Sequence, residues 1–191
     1  MAWIIDYQHV LVRTRELGLH SVYYNSGAFA HADGGAVRIV GWLGPADPTI
    51  RMDLPATMIC VEPPYEQNLA DQLLTIWPAR LAGPAWVLPK SHWSFELDHG
   101  SRAWLPGVLE DVGIDPGLLE GRAHAAAIQF EPAEPHLLHT AVRQLLTHLV
   151  SSDFAVIFPQ YDHLVTVHHH KQLWWQTLDS EFADLLVQGT G

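Results

Sequence analysis

The feature that most restricts the possible folds of this chain is an amphipathic segment at residues 135–149. Its apolar residues recur at helical spacing and form one stripe, which consists of Leu137, Leu138, Ala141, Val142, Leu145, Leu146 and Leu149. Pro135 suits the first helical position, where a backbone N–H would have no partner within the helix. Because a helix with a single apolar stripe buries that stripe against another layer, the rest of the chain must provide one.

Segments typical of β-strands surround this helix. Residues 124–130 precede it, and residues 153–158 and 163–168 follow it. Upstream, residues 28–42 predict a hairpin, because an Asp-Gly-Gly sequence in their middle supplies the positive φ angles of a tight turn. Since strands mostly follow strands, with helices interspersed, we predict an α+β fold: a largely antiparallel sheet with helices packed mainly on one face.

Other segments complete this interpretation. Further helices are expected at 6–17, 65–77, 103–120 and 179–187, with a break near 113–116, and further strands at 56–61, 85–88 and 92–98. Pro78 is expected to end or kink the second of these helices. The chain contains no long linker or repeat, so we predict one domain spanning 1–191, with a smaller N-terminal lobe at 1–64 as the alternative.

The charge balance limits the possible partners. The chain carries 21 acidic and 10 basic residues, a formal net charge of −11. Such a chain repels phosphate backbones, so we expect no nucleic-acid partner. No apolar run reaches the roughly 18 residues of a membrane span, and the N-terminus lacks the pattern of a secretory signal. With Cys60 as its single cysteine, the chain is expected to be a soluble, cytoplasmic protein.

Four histidines and two tryptophans lie close together in residues 163–175, HLVTVHHHKQLWW. If residues 163–170 are extended, side chains alternate, and His168 and His170 share one face while His163 and His169 share the other. A His-x-His pair on a strand can supply two ligands to Zn²⁺ or a similar divalent ion. The other interpretation is a strand end or tight turn whose rings are half exposed and bind nothing.

A metal site would need at least one more ligand. Residues 92–98 alternate so that His92, Glu96 and Asp98 share the polar face of a predicted strand. All three are therefore candidates to complete a site with the His-x-His pair, with His92 or Glu96 preferred to Asp98, provided that the two strands are neighbours. Local sequence patterns leave that adjacency open.

Two functions remain after this survey. The chain has no Gly-x-Ser-x-Gly elbow and no glycine-rich phosphate loop, so we favour a binding domain without a cofactor. Its partner would be a basic protein that it antagonises, or a second copy of itself, contacted through the aromatic side chains of Trp93, Trp174 and Trp175. The alternative is a metal-dependent enzyme, a hydrolase centred on the histidines.

Overall fold

The computed structural model describes the greater part of the chain. The described residues are 1–6, 9, 10, 12, 19–22, 28–33, 36–42, 57–61, 66–120, 126–161, 163–177 and 179–189. They contain ten strands, which are β1 (Trp3–Ile5), β2 (Leu19–Val22), β3 (Ala28–Asp33), β4 (Ala36–Trp42), β5 (Thr57–Val61), β6 (Ala85–Pro89), β7 (Ala127–Phe130), β8 (Phe154–Ile157), β9 (His163–His168) and β10 (Gln172–Thr177).

The same residues form six α-helices and a short π-helix. The α-helices are α1 (Glu66–Arg80), α2 (Trp93–Phe95), α3 (Leu105–Asp111), α4 (Gly117–Glu120), α5 (Pro135–His148) and α6 (Ser180–Gly189). The π-helix, Glu96–Gly100, continues directly from α2. None of the described helices is both long enough and apolar enough to cross a lipid bilayer.

The strands form two antiparallel sheets. The main sheet has the order β1-β7-β6-β8-β9-β10-β5, and every neighbouring pair in it is antiparallel. The smaller sheet has the order β2-β3-β4. Its β3–β4 pair aligns Asp33 with Ala36, so the predicted pairing of these two segments is confirmed, while the two glycines between them lie outside the described residues. The pairing is largely between strands that are close in sequence, as antiparallel sheets allow.

Helices cover one face of the main sheet. The apolar stripe of α5 shares a continuous core with Leu73 and Trp77 of α1, Phe182 of α6 and strand residues such as Val156. All these side chains are buried except Leu137 of the stripe, which is partly buried, and burial of apolar surface is the main force that holds the helices on the sheet. The predicted α+β class, with helices packed against an antiparallel sheet, is therefore confirmed.

The opposite face of the main sheet carries a second, smaller apolar cluster. Strand residues alternate between the two faces, so Trp86 and Ile157 lie in this cluster although their neighbours lie under the helices. Along β9 the residues on this second face are Leu164, Thr166 and His168, all buried. The last of these places an imidazole at the point where the strand ends.

The helix expected at 65–77 is longer than predicted. Helix α1 does not end at Pro78 but includes it and continues to Arg80. In the last turn a proline removes only its own N–H bond, and Leu81 N–H still donates to Trp77 O at 2.9 Å. The helix predicted at 6–17 lies mostly outside the described residues, as does much of 1–64, so the domain assignment stays a prediction.

Candidate functional site

The histidine-rich segment forms the turn of the β9–β10 hairpin. Strand β9 ends at His168, which pairs with Gln172, so three residues form the loop between them. Lys171 N–H donates to His168 O at 3.0 Å, and Lys171 has a φ angle of 63°. A type I turn followed by one residue in the left-handed region is a common three-residue hairpin loop. The chain therefore stops being extended at His168.

The alternation expected for an extended 163–170 segment is wrong beyond His168, and the other interpretation, a strand end followed by a tight turn, agrees with the structure. Beyond His168 the side chains no longer alternate between two faces, and His169 does not lie on the opposite face of a strand. The three imidazoles come together instead, with ring centroids 4.2 Å apart for His168 and His169, 4.8 Å for His168 and His170, and 4.3 Å for His169 and His170. Each ring offers one nitrogen within 4.8 Å of the other two.

A buried carboxylate, Asp153, lies directly behind this turn. Strand register places it there, because Phe154, the first residue of β8, pairs with Val167, and Asp153 just before β8 therefore reaches the end of β9. Asp153 Oδ1 accepts hydrogen bonds from His169 N–H at 3.0 Å and from His169 Nδ1 at 2.8 Å. A ring that donates through Nδ1 keeps the lone pair of Nε2 available, which is the usual state of a histidine that binds a metal.

Lys90 balances the charge of this carboxylate. Its Nζ donates to Asp153 Oδ2 at 3.1 Å, and its backbone N–H donates to Asp153 O at 2.9 Å. The Lys90 side chain is 4% exposed and that of Asp153 is 10% exposed, so the pair is desolvated. A buried ion pair of this kind gains much of its stability from further hydrogen bonds to the carboxylate, and His169 provides them.

His168 is held by ring stacking and by one hydrogen bond. Its ring stacks on Trp174 with centroids 4.0 Å apart, and its Nδ1 accepts a hydrogen bond from His170 N–H at 3.2 Å. Its Nε2 lies 4.0 Å from Asp153 Oδ2. If His168 binds an ion through Nδ1, the ion takes the place of the 3.2 Å hydrogen bond from His170 N–H.

Burial sets the charge state of His168. It lowers the pKa of His168 from its ordinary 6.5 to about 4, and the nearby Asp153 carboxylate opposes this change without reversing it. The surrounding His169, Lys90 and His170 lower the pKa further, because a positive charge on any of them disfavours a second one. At neutral pH the His168 imidazole is therefore uncharged.

The pKa of Asp153 is held below its ordinary 3.8. Burial alone would raise it, but the Lys90 ammonium, the ring and backbone hydrogen bonds of His169, and His168 together outweigh that effect. At neutral pH the site thus contains an ionised carboxylate paired with a lysine, with a neutral imidazole beside them.

A three-imidazole cluster of this size can close around an ion after small side-chain movements. Nitrogens around a tetrahedral zinc at about 2.0–2.1 Å lie roughly 3.3 Å apart. The nitrogens here lie within 4.8 Å of one another, so movements on the order of 1 Å are needed. His170 is exposed and can make such a movement, whereas His169 is already oriented by Asp153.

No family model, curated protein or solved structure matches this chain. Its function therefore has to be inferred from the side chains of the site itself.

The other two predicted ligands do not join the histidine cluster. His92 is exposed at the residue before α2, and Glu96 is fully buried. Neither belongs to the group of three nitrogens that can converge. Glu96 instead accepts hydrogen bonds from three hydroxyls, those of Ser91, Ser101 and Ser152.

The strand predicted at 92–98 is wrong, since this segment is helical. Its buried residues are Trp93, Glu96 and Leu97, which follow the three- and four-residue spacing of a helix, whereas Phe95 is exposed. The sequence pattern was misleading because Glu96 is polar and was expected on an outer face. Hydrogen bonds from three hydroxyl groups offset the cost of burying its carboxylate. Local sequence patterns do not predict these bonds.

The three tryptophans predicted to bind a partner differ in exposure. Trp93 and Trp175 are both 1% exposed and lie in the core under the helices. Trp174 is half-buried on the other face, with its Nε1 donating to Gln172 Oε1 at 2.9 Å. The predicted protein partner or self-association stays a prediction, and of these three indoles only Trp174 is partly accessible.

Asp153, Lys90 and His169 were not selected from the sequence as members of a site. Asp153 precedes β8 and Lys90 follows β6. Their neighbours in sequence do not indicate that either residue belongs to a site. The signal that could have found them is strand register. Pro89 pairs with Phe154, so the residues just beyond that pair come together.

Proposed function

We propose that this protein binds a divalent transition-metal ion of the zinc class at the β9–β10 turn, with His168, His169 and His170 as its ligands. Imidazole nitrogen is a preferred ligand of such ions. The observation that carries the proposal is the convergence of three imidazoles, one of which donates Nδ1–H to the buried carboxylate of Asp153. Carboxylate–histidine pairs of this kind orient metal-binding rings in many proteins.

The buried carboxylate is what separates this arrangement from a run of surface histidines. A flexible histidine run could bind metal without any folded structure, and would show no dependence on a residue 16 positions away. Here Asp153 fixes both the backbone and the ring of His169. The ordering entropy of that ligand is therefore lost during folding and not during metal binding.

Three protein nitrogens leave one position of a tetrahedral ion for water. Catalytic zinc sites keep this open position, and the ion lowers the pKa of the bound water to about 7. Hydrolysis is the enzymatic function that a loaded site of this composition supports. It is the same class of reaction that the histidine-rich segment suggested, with a different set of ligands.

Calorimetric titration of tag-free protein with Zn²⁺ tests the proposal. We expect one ion per chain, and much weaker binding in His169→Ala and His170→Ala. His136→Ala is the matched control, because His136 is exposed on α5 and does not belong to the group of three imidazoles. Asp153→Asn should weaken binding by about 10- to 100-fold, the usual effect of removing an outer-shell partner.

Two results would contradict the proposal. One is stoichiometric Zn²⁺ binding that survives Asp153→Asn and unfolding in urea unchanged, because the ligands would then be a flexible run. The other is no binding by the folded wild-type protein. If Asp153→Asn does not fold alone, Lys90→Met with Asp153→Asn removes both buried charges and provides the same comparison.

A further inference from the structure

Both charged residues behind the histidine turn have a serine as their chain neighbour, and both serines donate to Glu96. Ser91, next to Lys90, donates its hydroxyl to Glu96 Oε1 at 2.5 Å. Ser152, next to Asp153, donates its hydroxyl to Glu96 Oε2 at 2.9 Å. The Lys90–Asp153 ion pair and the bonds to Glu96 thus link the same two chain segments side by side.

The Glu96 carboxylate is fully buried and takes a third hydroxyl. Ser101 donates to Glu96 Oε2 at 2.7 Å, so that oxygen accepts two hydroxyls and Oε1 accepts one. An ionised carboxylate only accepts hydrogen bonds, which suits three donors. A glutamine amide would present a donor on one side and leave a hydroxyl facing another donor.

The π-helix holds this carboxylate in place. Glu96 is its first residue, and Ser101 N–H donates to Glu96 O at 2.8 Å. A Cβ added at Gly100 would lie 3.0 Å from Glu96 Oε2, so the backbone packs closely against the carboxylate. π-helical turns are rare and occur often at functional sites.

We propose that Glu96 is a positioning residue of the histidine site. It fixes Ser152 and Ser91, and through the adjoining backbone it fixes Asp153 and Lys90, so that Asp153 keeps the His169 ring in its Nδ1–H form. This inference rests on the proposed metal binding. Glu96 would not contact the ion but would act on the ligand His169 through Ser152 and Asp153.

Two serine variants separate this role from general support of the fold. Ser152→Ala and Ser101→Ala each remove one hydroxyl from the same Glu96 oxygen, but only Ser152 adjoins Asp153. The probe is Co²⁺, whose absorption spectrum reports the geometry of its ligands. We expect Ser152→Ala to weaken Co²⁺ binding by about tenfold, at the lower end of outer-shell effects, and to alter the spectrum. Ser101→Ala should change the affinity less than twofold and leave the spectrum as in wild type.

A second readout works without metal. The Nδ1–H proton of His169 gives an NMR signal if Asp153 holds it, and we expect that signal to weaken in Ser152→Ala and Glu96→Gln but not in Ser101→Ala. If Glu96→Gln does not fold, Ser152→Ala decides alone.

The outcomes are distinguishable. Equal effects of Ser152→Ala and Ser101→Ala on the spectrum and on the His169 signal would overturn the positioning role, while metal binding by wild type would stand. Absence of Co²⁺ and Zn²⁺ binding by wild type would overturn the proposed function, and the metal-free signal would still decide whether Glu96 orients His169.

Discussion

Asp153 Oδ1 accepts two hydrogen bonds from one residue, His169: one from its backbone N–H at 3.0 Å and one from its ring Nδ1 at 2.8 Å. This double contact fixes the position of the turn and the orientation of the ring together. His168, its neighbour, has the opposite pattern, because its Nδ1 accepts a hydrogen bond from His170 N–H.

The first prediction concerns tautomers. In metal-free protein at neutral pH, His169 should carry its proton on Nδ1, because that nitrogen faces the acceptor Asp153 Oδ1. His168 should carry its proton on Nε2, because its Nδ1 faces the donor His170 N–H. Long-range ¹H–¹⁵N NMR correlations measure both tautomers. A neutral His169 protonated on Nε2 would contradict the geometry around Asp153.

The second prediction concerns the buried ion pair. Lys90→Met leaves the Asp153 carboxylate desolvated without its cation and should reduce the free energy of unfolding by about 3–5 kcal/mol. The double variant Lys90→Met, Asp153→Asn should lose less than Lys90→Met alone, because no uncompensated charge remains. Urea unfolding of wild type, both single variants and the double variant gives the coupling energy. Additive losses would show that the two residues act independently.

The third prediction concerns pH. Because the pKa of His168 is lowered from 6.5 to about 4, the unfolded chain takes up this proton at a higher pH than the folded protein. His168 should therefore stabilise the fold above pH 6.5, and this contribution should fall as the pH drops towards 4. Between pH 7.5 and pH 5 the loss from this one group amounts to about 2 kcal/mol.

Urea unfolding in EDTA at these two pH values measures that loss. His168→Gln serves as the comparison, since it cannot titrate, and its stability should change less over the same interval. A wild-type stability at pH 5 that exceeds that at pH 7.5, relative to His168→Gln, would contradict the assigned direction.

The fourth prediction concerns the strained turn. Lys171 has a φ angle of 63°, a conformation that costs an L-residue about 1–2 kcal/mol and glycine almost nothing. The entropy that glycine loses on folding, about 0.5–1 kcal/mol more than another residue, offsets part of this gain. Lys171→Gly should therefore stabilise the protein by roughly 0.5–1 kcal/mol. Lys171→Val should destabilise it, because a β-branched residue tolerates this region poorly. Thermal unfolding checks the order, and Lys171→Asn separates side-chain effects from backbone strain.

Much of the fold followed from local patterns. The stripe of α5 and the Asp-Gly-Gly hairpin were predicted because their periods and turn residues depend on neighbours within a few positions. The segment 92–98 was misread for the same reason. Its local alternation suggested a strand, but the three serines that bury Glu96 come from positions 91, 101 and 152.

The metal-binding role of the predicted ligands stays a prediction, but the structure does bring two of them together. His168 and His170 were selected as ligands, and they do lie together with His169 at the turn. The role of Glu96 as a ligand received no support from its position, which is behind the site. Asp153 went unnoticed, because a single aspartate before a strand is common and its contacts depend on the register between strands.

The sequence by itself determined the class of fold, the long helix, the hairpin and the presence of an imidazole-rich segment near its end. Each of these depends on periodicity or turn chemistry within a short stretch of chain. Only the tertiary structure decided that three imidazoles come together at the turn after His168, and that Asp153 and Lys90, 63 positions apart, meet behind it. Contacts over such separations are set by strand register and by the burial of charge, which local sequence patterns do not encode.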